Sequence, residues 1–146
     1  MYANKKVLIM AVSSGLGKFL TLSYSREKAS IINLLHNIEK INDLNNKLKT
    51  INNADDKYYS VNVSNYDEIL KVKNVLLREK SLPNIIINNA VGNFLCPFEK
   101  LSVNGWKCIN NIVLNSAFNI IHIFGKTFIE KNERSCFFKY FYYLFT

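Results

Sequence analysis

The chain has 146 residues, 49% of them hydrophobic and 13% aromatic, with 19 Lys+Arg against 11 Asp+Glu. That length suits one core, and the apolar fraction with only 5 Gly and 2 Pro excludes collagen-like and wholly disordered chains. Basic residues are spread from Lys5 to Lys139 without a block, which reads as a solvated surface and not a nucleic-acid strip, and no uninterrupted apolar run reaches about 18 residues, which reads against a membrane-spanning helix.

Val7 to Val12 is a continuous apolar run, as expected of a strand buried on both faces. It breaks at Ser13-Ser14-Gly15-Leu16-Gly17, and a helical pattern follows with Leu16, Phe19, Leu20 and Ser23-Tyr24 on neighbouring turns. Ala29 to Leu35 reads as a second buried strand, and Ile38, Ile41, Leu44 and Leu48 recur at helical spacing. Tyr58 to Val63 is strand-like, and Ile69, Val72 and Val75-Leu76 mark another helix, stopped by Pro83. Asn84 to Asn88 is the clearest buried strand; a loop to Leu101 then leads into a long helix, about Asn104 to Lys131, and a last strand begins near Ser135. Strands alternating with helices predict βα units on a parallel sheet, in a single domain spanning 1–146. Cys96, Cys108 and Cys136 contain no CxxC and suggest reduced thiols; no metal-ligand spacing is present.

A glycine-rich turn between a buried strand and a helix is where this architecture holds a pyrophosphate, on the amides of the helix N-terminus. Gly15 and Gly17 suit close backbone approach and tight helix–strand packing, while Ser13 and Ser14 either donate to phosphate or cap the helix. Alone, such a turn also serves as a plain strand–helix connection.

Four stretches carry more. They are Met10 to Lys18, Asn88-Asn89-Ala90-Val91-Gly92-Asn93-Phe94, Leu101-Ser102-Val103-Asn104-Gly105-Trp106-Lys107 and Ile112-Val113-Leu114-Asn115. With them the chain, from about residue 5 to 138, resembles the short-chain dehydrogenase/reductase family, and within it the mitochondrial-type 2,4-dienoyl-CoA reductases of fatty-acid β-oxidation. Phe94-Leu95-Cys96-Pro97 is also similar to the peroxisomal type. The resemblance implies a Rossmann-type three-layer α/β fold with a parallel sheet, truncated after the fifth strand, hence an incomplete dinucleotide-binding domain.

It also implies site residues. Gly15, Leu16 and Gly17, with Ser13 and Ser14, match the family's phosphate turn; Met10 replaces its Thr and Ala11 its first glycine, where a Cβ costs about 1–2 kcal/mol if φ is positive. His36 stands where the reductases place an Arg against the 2′-phosphate of NADP, so the bidentate fork is lost. As a bare residue His36 also reads as a surface position at a helix start. Asn62-Val63 replaces the Asp-Val pair that holds adenine, and Ser64 an Arg that helps hold acyl-CoA. Asn89, Ala90 and Gly92 match the turn along the nicotinamide ribose, or simply close a strand with an Asx turn. Asn93, Phe94 and Ser102 match substrate-side positions. Asn115 matches one member of the catalytic tetrad, which in the family distorts its helix and holds a water; the apolar run around it predicts a buried side chain, bonded otherwise to a neighbouring carbonyl.

The family's Tyr acid and its Lys come after the fifth strand. Counted without gaps, the acid's position falls on Leu144, and Tyr143 is one place away, on the opposite strand face. The resemblance therefore implies an NADP(H) site weakened by Ala11 and His36, no metal, and an acyl-CoA substrate in the intact family. It further implies a mitochondrial or peroxisomal address and pairing of subunits through the 104–131 helix. A nucleotide-binding or subunit-pairing module without catalysis is the alternative.

Overall fold

The computed structural model describes residues 1–12, 15–36, 38–52, 55–91 and 96–139. Along the chain run β1 (Lys6–Met10), α1 (Gly15–Arg26), β2 (Ser30–Leu35), α2 (Ile38–Ile51), β3 (Lys57–Ser60), α3 (Tyr66–Arg78), β4 (Ile85–Asn88), a short 3-10 turn (Phe98–Lys100), α4 (Val103–Asn110), a π-helical turn (Asn111–Asn115), α5 (Ser116–Lys131) and β5 (Cys136–Lys139). The five strands are parallel and ordered β3-β2-β1-β4-β5. The chain steps outward from β1 to β3, then returns to the other side of β1. The crevice between the carboxyl ends of β1 and β4 is thus the point where the direction of winding reverses, the place at which open α/β sheets bind ligands.

The continuous apolar strands follow from burial on both faces. Val7, Ile9, Ile31 and Ile87 point to one side and pack with Leu44 and Leu48 of α2; Leu8, Met10, Ile32 and Ile86 point to the other and pack with Ile69, Val72 and Leu76 of α3 and Ile120, Phe124 and Phe128 of α5. Strand ends are set by turns. β1 stops at Met10 and not at Val12 because Ala11 adopts φ +55°. β3 stops at Ser60, before Val63, because Asn65 N–H closes a turn on the Asn62 carbonyl.

Two expectations change. α1 buries Gly17, Thr21 and Ser25 against the sheet, packs Leu20, Leu22 and Tyr24 half-buried on the core beside them, and leaves Phe19 62% exposed. Close approach to the β1 turn is the reason. The helix expected over 104–131 forms over Val103–Lys131, and it is long and apolar enough, by length and composition, to cross a membrane. Scattered polar residues interrupt the run without lowering its average enough to disqualify it. The face carrying Ile120, Ile123, Phe124 and Phe128 is core.

Candidate cofactor-binding cleft

A cleft of about 780 Å³ opens at the carboxyl ends of the strands. Ala11 after β1, Leu35 and His36 at the end of β2, Asn62 to Ser64 after β3 and Ala90 after β4 form one wall; Asn104, Lys107, Cys108, Asn111 and Ile112 form the other. The turn after β1, beside this cleft, is held tightly against α1 and β4. Gly17, in the first turn of α1, is buried under the Ala11 carbonyl: a Cβ there would overlap that oxygen and stand 2.6 Å from Asn89 Nδ2. Asn89 Nδ2 donates to the same Ala11 oxygen at 3.1 Å, tying the β1 turn to the end of β4. Gly15 sits at φ +55° with open space around it, the backbone state that lets amides face outward at a helix start. Ala11, also at φ +55°, holds its strained conformation by donating its N–H to the Leu34 carbonyl at 3.0 Å.

The other turns are pinned as firmly. Asn62 Oδ1 accepts from Ser64 N–H at 3.0 Å, and Asn62 N–H donates to Glu68 Oε2 at 2.6 Å. Ser64 Oγ donates to the Asn111 carbonyl at 3.0 Å, while Asn119 Nδ2 reaches the Ser64 and Val63 carbonyls at 3.1 and 3.3 Å. After β4, Asn88 Oδ1 accepts from Ala90 N–H at 3.1 Å, and Lys139 Nζ at the end of β5 donates to the Ala90 carbonyl at 2.8 Å. Burial pulls the Lys139 ammonium below the usual lysine range.

Of the residues expected at the site, Ala11, His36, Asn62, Val63 and Ala90 line one cleft, with Asn89 bonded beneath it and Gly15, Leu16 and Gly17 at the adjoining helix start. His36 is exposed, and its carbonyl accepts from Ser60 Oγ. Ser102 caps α4, its Oγ accepting from Gly105 N–H at 3.0 Å. Asn115 is exposed and not buried: the π turn swings it outward, and its Nδ2 donates to Asn111 Oδ1 at 2.7 Å, a side chain and not a carbonyl. The helix does depart from α geometry over Asn111–Asn115, where the resemblance implies a distortion. Ser13, Ser14, Gly92, Asn93, Phe94, Tyr143 and Leu144 lie outside the described residues. Among the described residues no group of three or more His, Cys, Asp or Glu is placed to hold a metal ion.

A profile of short chain dehydrogenases matches residues 5–135. The chain belongs to the short-chain dehydrogenase family. Among its curated relatives, a Bacillus subtilis protein named "probable 2,4-dienoyl-CoA reductase" is 26% identical over 131 residues, 90% of this chain and 51% of that protein. The mouse peroxisomal 2,4-dienoyl-CoA reductase is 27% identical over 127 residues, 87% of this chain and 44% of that protein. A solved short chain dehydrogenase from Bacillus anthracis superposes with a TM-score of 0.85 at 34% identity, covering 92% of this chain and 56% of its own. The L-sorbose reductase of Gluconobacter frateurii, solved with NADPH and L-sorbose, shares the fold at a TM-score of 0.83 and 15% identity, over 92% of this chain and 51% of its own. This short-chain dehydrogenase thus spans about half the length of the relatives it matches.

Sequence reasoning missed the second wall of the cleft. Asn104, Lys107, Cys108 and Asn111 recur at i, i+3, i+4 and i+7, a polar stripe on one helix face that periodicity does display once α4 is placed. It also missed Lys139, for which the sequence holds no signal, since its partners are backbone and side-chain atoms of the β4 turn.

Proposed function

We propose that this chain is the dinucleotide-binding half of a 2,4-dienoyl-CoA-reductase-like oxidoreductase that takes NADP(H). The observation that supports it most is Gly17: a side chain there is excluded by Ala11 and Asn89 at the point where β1 and β4 part. That tight turn leaves room for a diphosphate over the first amides of α1. In this reading Gly15, Leu16 and Gly17, with Ser13 and Ser14, hold the pyrophosphate. Asn62 and Val63 flank the adenine, His36 faces the adenosine ribose, and Asn89, Ala90 and Gly92 run along the nicotinamide ribose. The dinucleotide, when bound, supplies a hydride; in the whole enzyme a 2,4-dienoyl-CoA would take it, with a proton, to give a trans-3-enoyl-CoA.

Asn93, Phe94 and Ser102 are assigned to the acyl-CoA side and Asn115 to proton relay. The family's Tyr and Lys have no counterpart in this sequence in register, and general acid catalysis typically contributes about 10²–10⁴-fold. The expected behaviour is therefore saturable binding of NADPH in a calorimetric titration with negligible turnover of a dienoyl-CoA. Absence of binding to NADPH and NADH alike overturns the reading. A fatty-acid-oxidation role in mitochondria or peroxisomes belongs to the same proposal, and the location of a tagged chain in cells separates the two compartments.

One observation favours a second role beside it. Leu114, Phe118, Ile121 and Ile129 are more than half exposed along the long helix, and Gly125 among them has open space around its Cα. An apolar stripe with a glycine at its centre suits pairing with the same helix of another subunit.

A further inference from the structure

We infer that Lys107 is the residue that reads the ribose phosphate in this cleft, supplying from α4 the positive charge missing at His36; the inference rests on the dinucleotide reading above. Among the described residues that line the cleft, Lys107 alone carries a formal charge. It lines the same cleft as His36, Asn62 and Ser64, on the helix face it shares with Asn104, Cys108 and Asn111. The Ser102 cap fixes where that helix starts, and Ser64 Oγ bonded to the Asn111 carbonyl fixes the helix against the β3 turn, so the backbone that carries Lys107 into the cleft lining is anchored on both sides.

No acidic residue occurs in the first turn of α4, and among the described residues no carboxylate pairs with the Lys107 ammonium. The side chain is exposed, so its charge is free to meet a ligand at little desolvation cost. A phosphate monoester is what one ammonium and one imidazole lining the same cleft would recognise. Lysine does this as a point charge on a flexible stem, without the fixed fork of arginine, and therefore tolerates approach from an unusual side. Two ligands of the proposed reaction carry such a group on an adenosine ribose: NADP at the 2′ position and coenzyme A at the 3′ position. The cleft shared with His36 and the adenine-flanking Asn62 selects the former.

The test is calorimetric titration of the unmodified chain and of Lys107→Ala with NADP⁺, NAD⁺ and coenzyme A. Alanine is a strong helix former and position 107 is exposed, so the variant keeps its fold. A charge-assisted contact at an open site predicts a loss of about tenfold for NADP⁺, a change under about twofold for NAD⁺, and no change for coenzyme A. Lys107→Arg restores at least half of the loss on a logarithmic scale. Equal losses for NADP⁺ and NAD⁺, no loss at all, or a loss confined to coenzyme A each overturn the inference and leave the dinucleotide site standing. Failure of the unmodified chain to bind either dinucleotide overturns both.

Discussion

Ala11 and Gly17 are a matched pair, one strained and one forbidden to grow. A non-glycine residue at φ +55° costs about 1–2 kcal/mol, and glycine gives back about 0.5–1 kcal/mol of that in extra backbone entropy lost on folding. Ala11→Gly is therefore expected to stabilise the chain by about 0.5–1 kcal/mol. Gly17→Ala drives a methyl into the Ala11 carbonyl and Asn89 and is expected to destabilise by about 1–3 kcal/mol. Urea midpoints at constant m-value measure both. Asp56 makes a prediction of the opposite kind from most carboxylates. Its Oδ1 accepts from Ile31 N–H at 2.7 Å, yet burial, helped by neighbouring Asp55, raises its carboxyl from 3.8 to about 6. The folded chain then binds more protons than the unfolded one between those values, so this carboxyl's contribution is fully present below about pH 4 and is lost as pH rises through 6. Asp56→Asn keeps the acceptor and removes the titration. Thermal melts should show a flatter stability profile between pH 4 and 7 and a higher melting temperature than the unmodified chain at pH 7.

At the scale of elements, the strands were readable because burial on both faces leaves uninterrupted apolar runs: Val7 to Met10 and Ile85 to Ile87 say nearly everything about their place in the sheet. α1 was readable as a helix with Leu20 and Tyr24 on the core, but not with Phe19 turned out to solvent. Hydrophobic periodicity favours Phe19, whereas the Gly17 turn demands a face of Gly17, Thr21 and Ser25, since only small side chains let the helix axis come that close. The long helix shows a similar limit. Its length follows from composition, but its π turn sits where the Ser64 hydroxyl, from far away in sequence, donates to the Asn111 carbonyl. Its outer stripe carries the pairing prediction. Phe118 is 60% exposed and stacks on His122, itself bonded to Tyr66, so the ring is presented and not buried. Phe118→Asp should shift the sedimentation mass from dimer or larger to monomer without moving the urea midpoint by more than about 0.5 kcal/mol. A monomeric unmodified chain would remove the pairing role.

The match over residues 5–135 places this chain in one family, with the family's sheet order, and the chain spans about half the length of its relatives. The family resemblance, carried over position by position, found the strand-end wall of the cleft, whose residues lie next to glycines and strand ends, where the chain has few conformational choices. The α4 wall, with Lys107, depends on how a helix far along the chain docks over the β3 turn, and local pattern does not encode that docking. The proposed dinucleotide lies across the strand ends and α4 together. Amide chemical shifts recorded during titration with NADPH test this most directly: saturable changes are expected at Ala11, Gly15 to Gly17, Asn62, Val63 and Lys107 with a single affinity, and no saturable change at those amides, or changes confined to the opposite end of the sheet around Lys6 and Lys131, would contradict it.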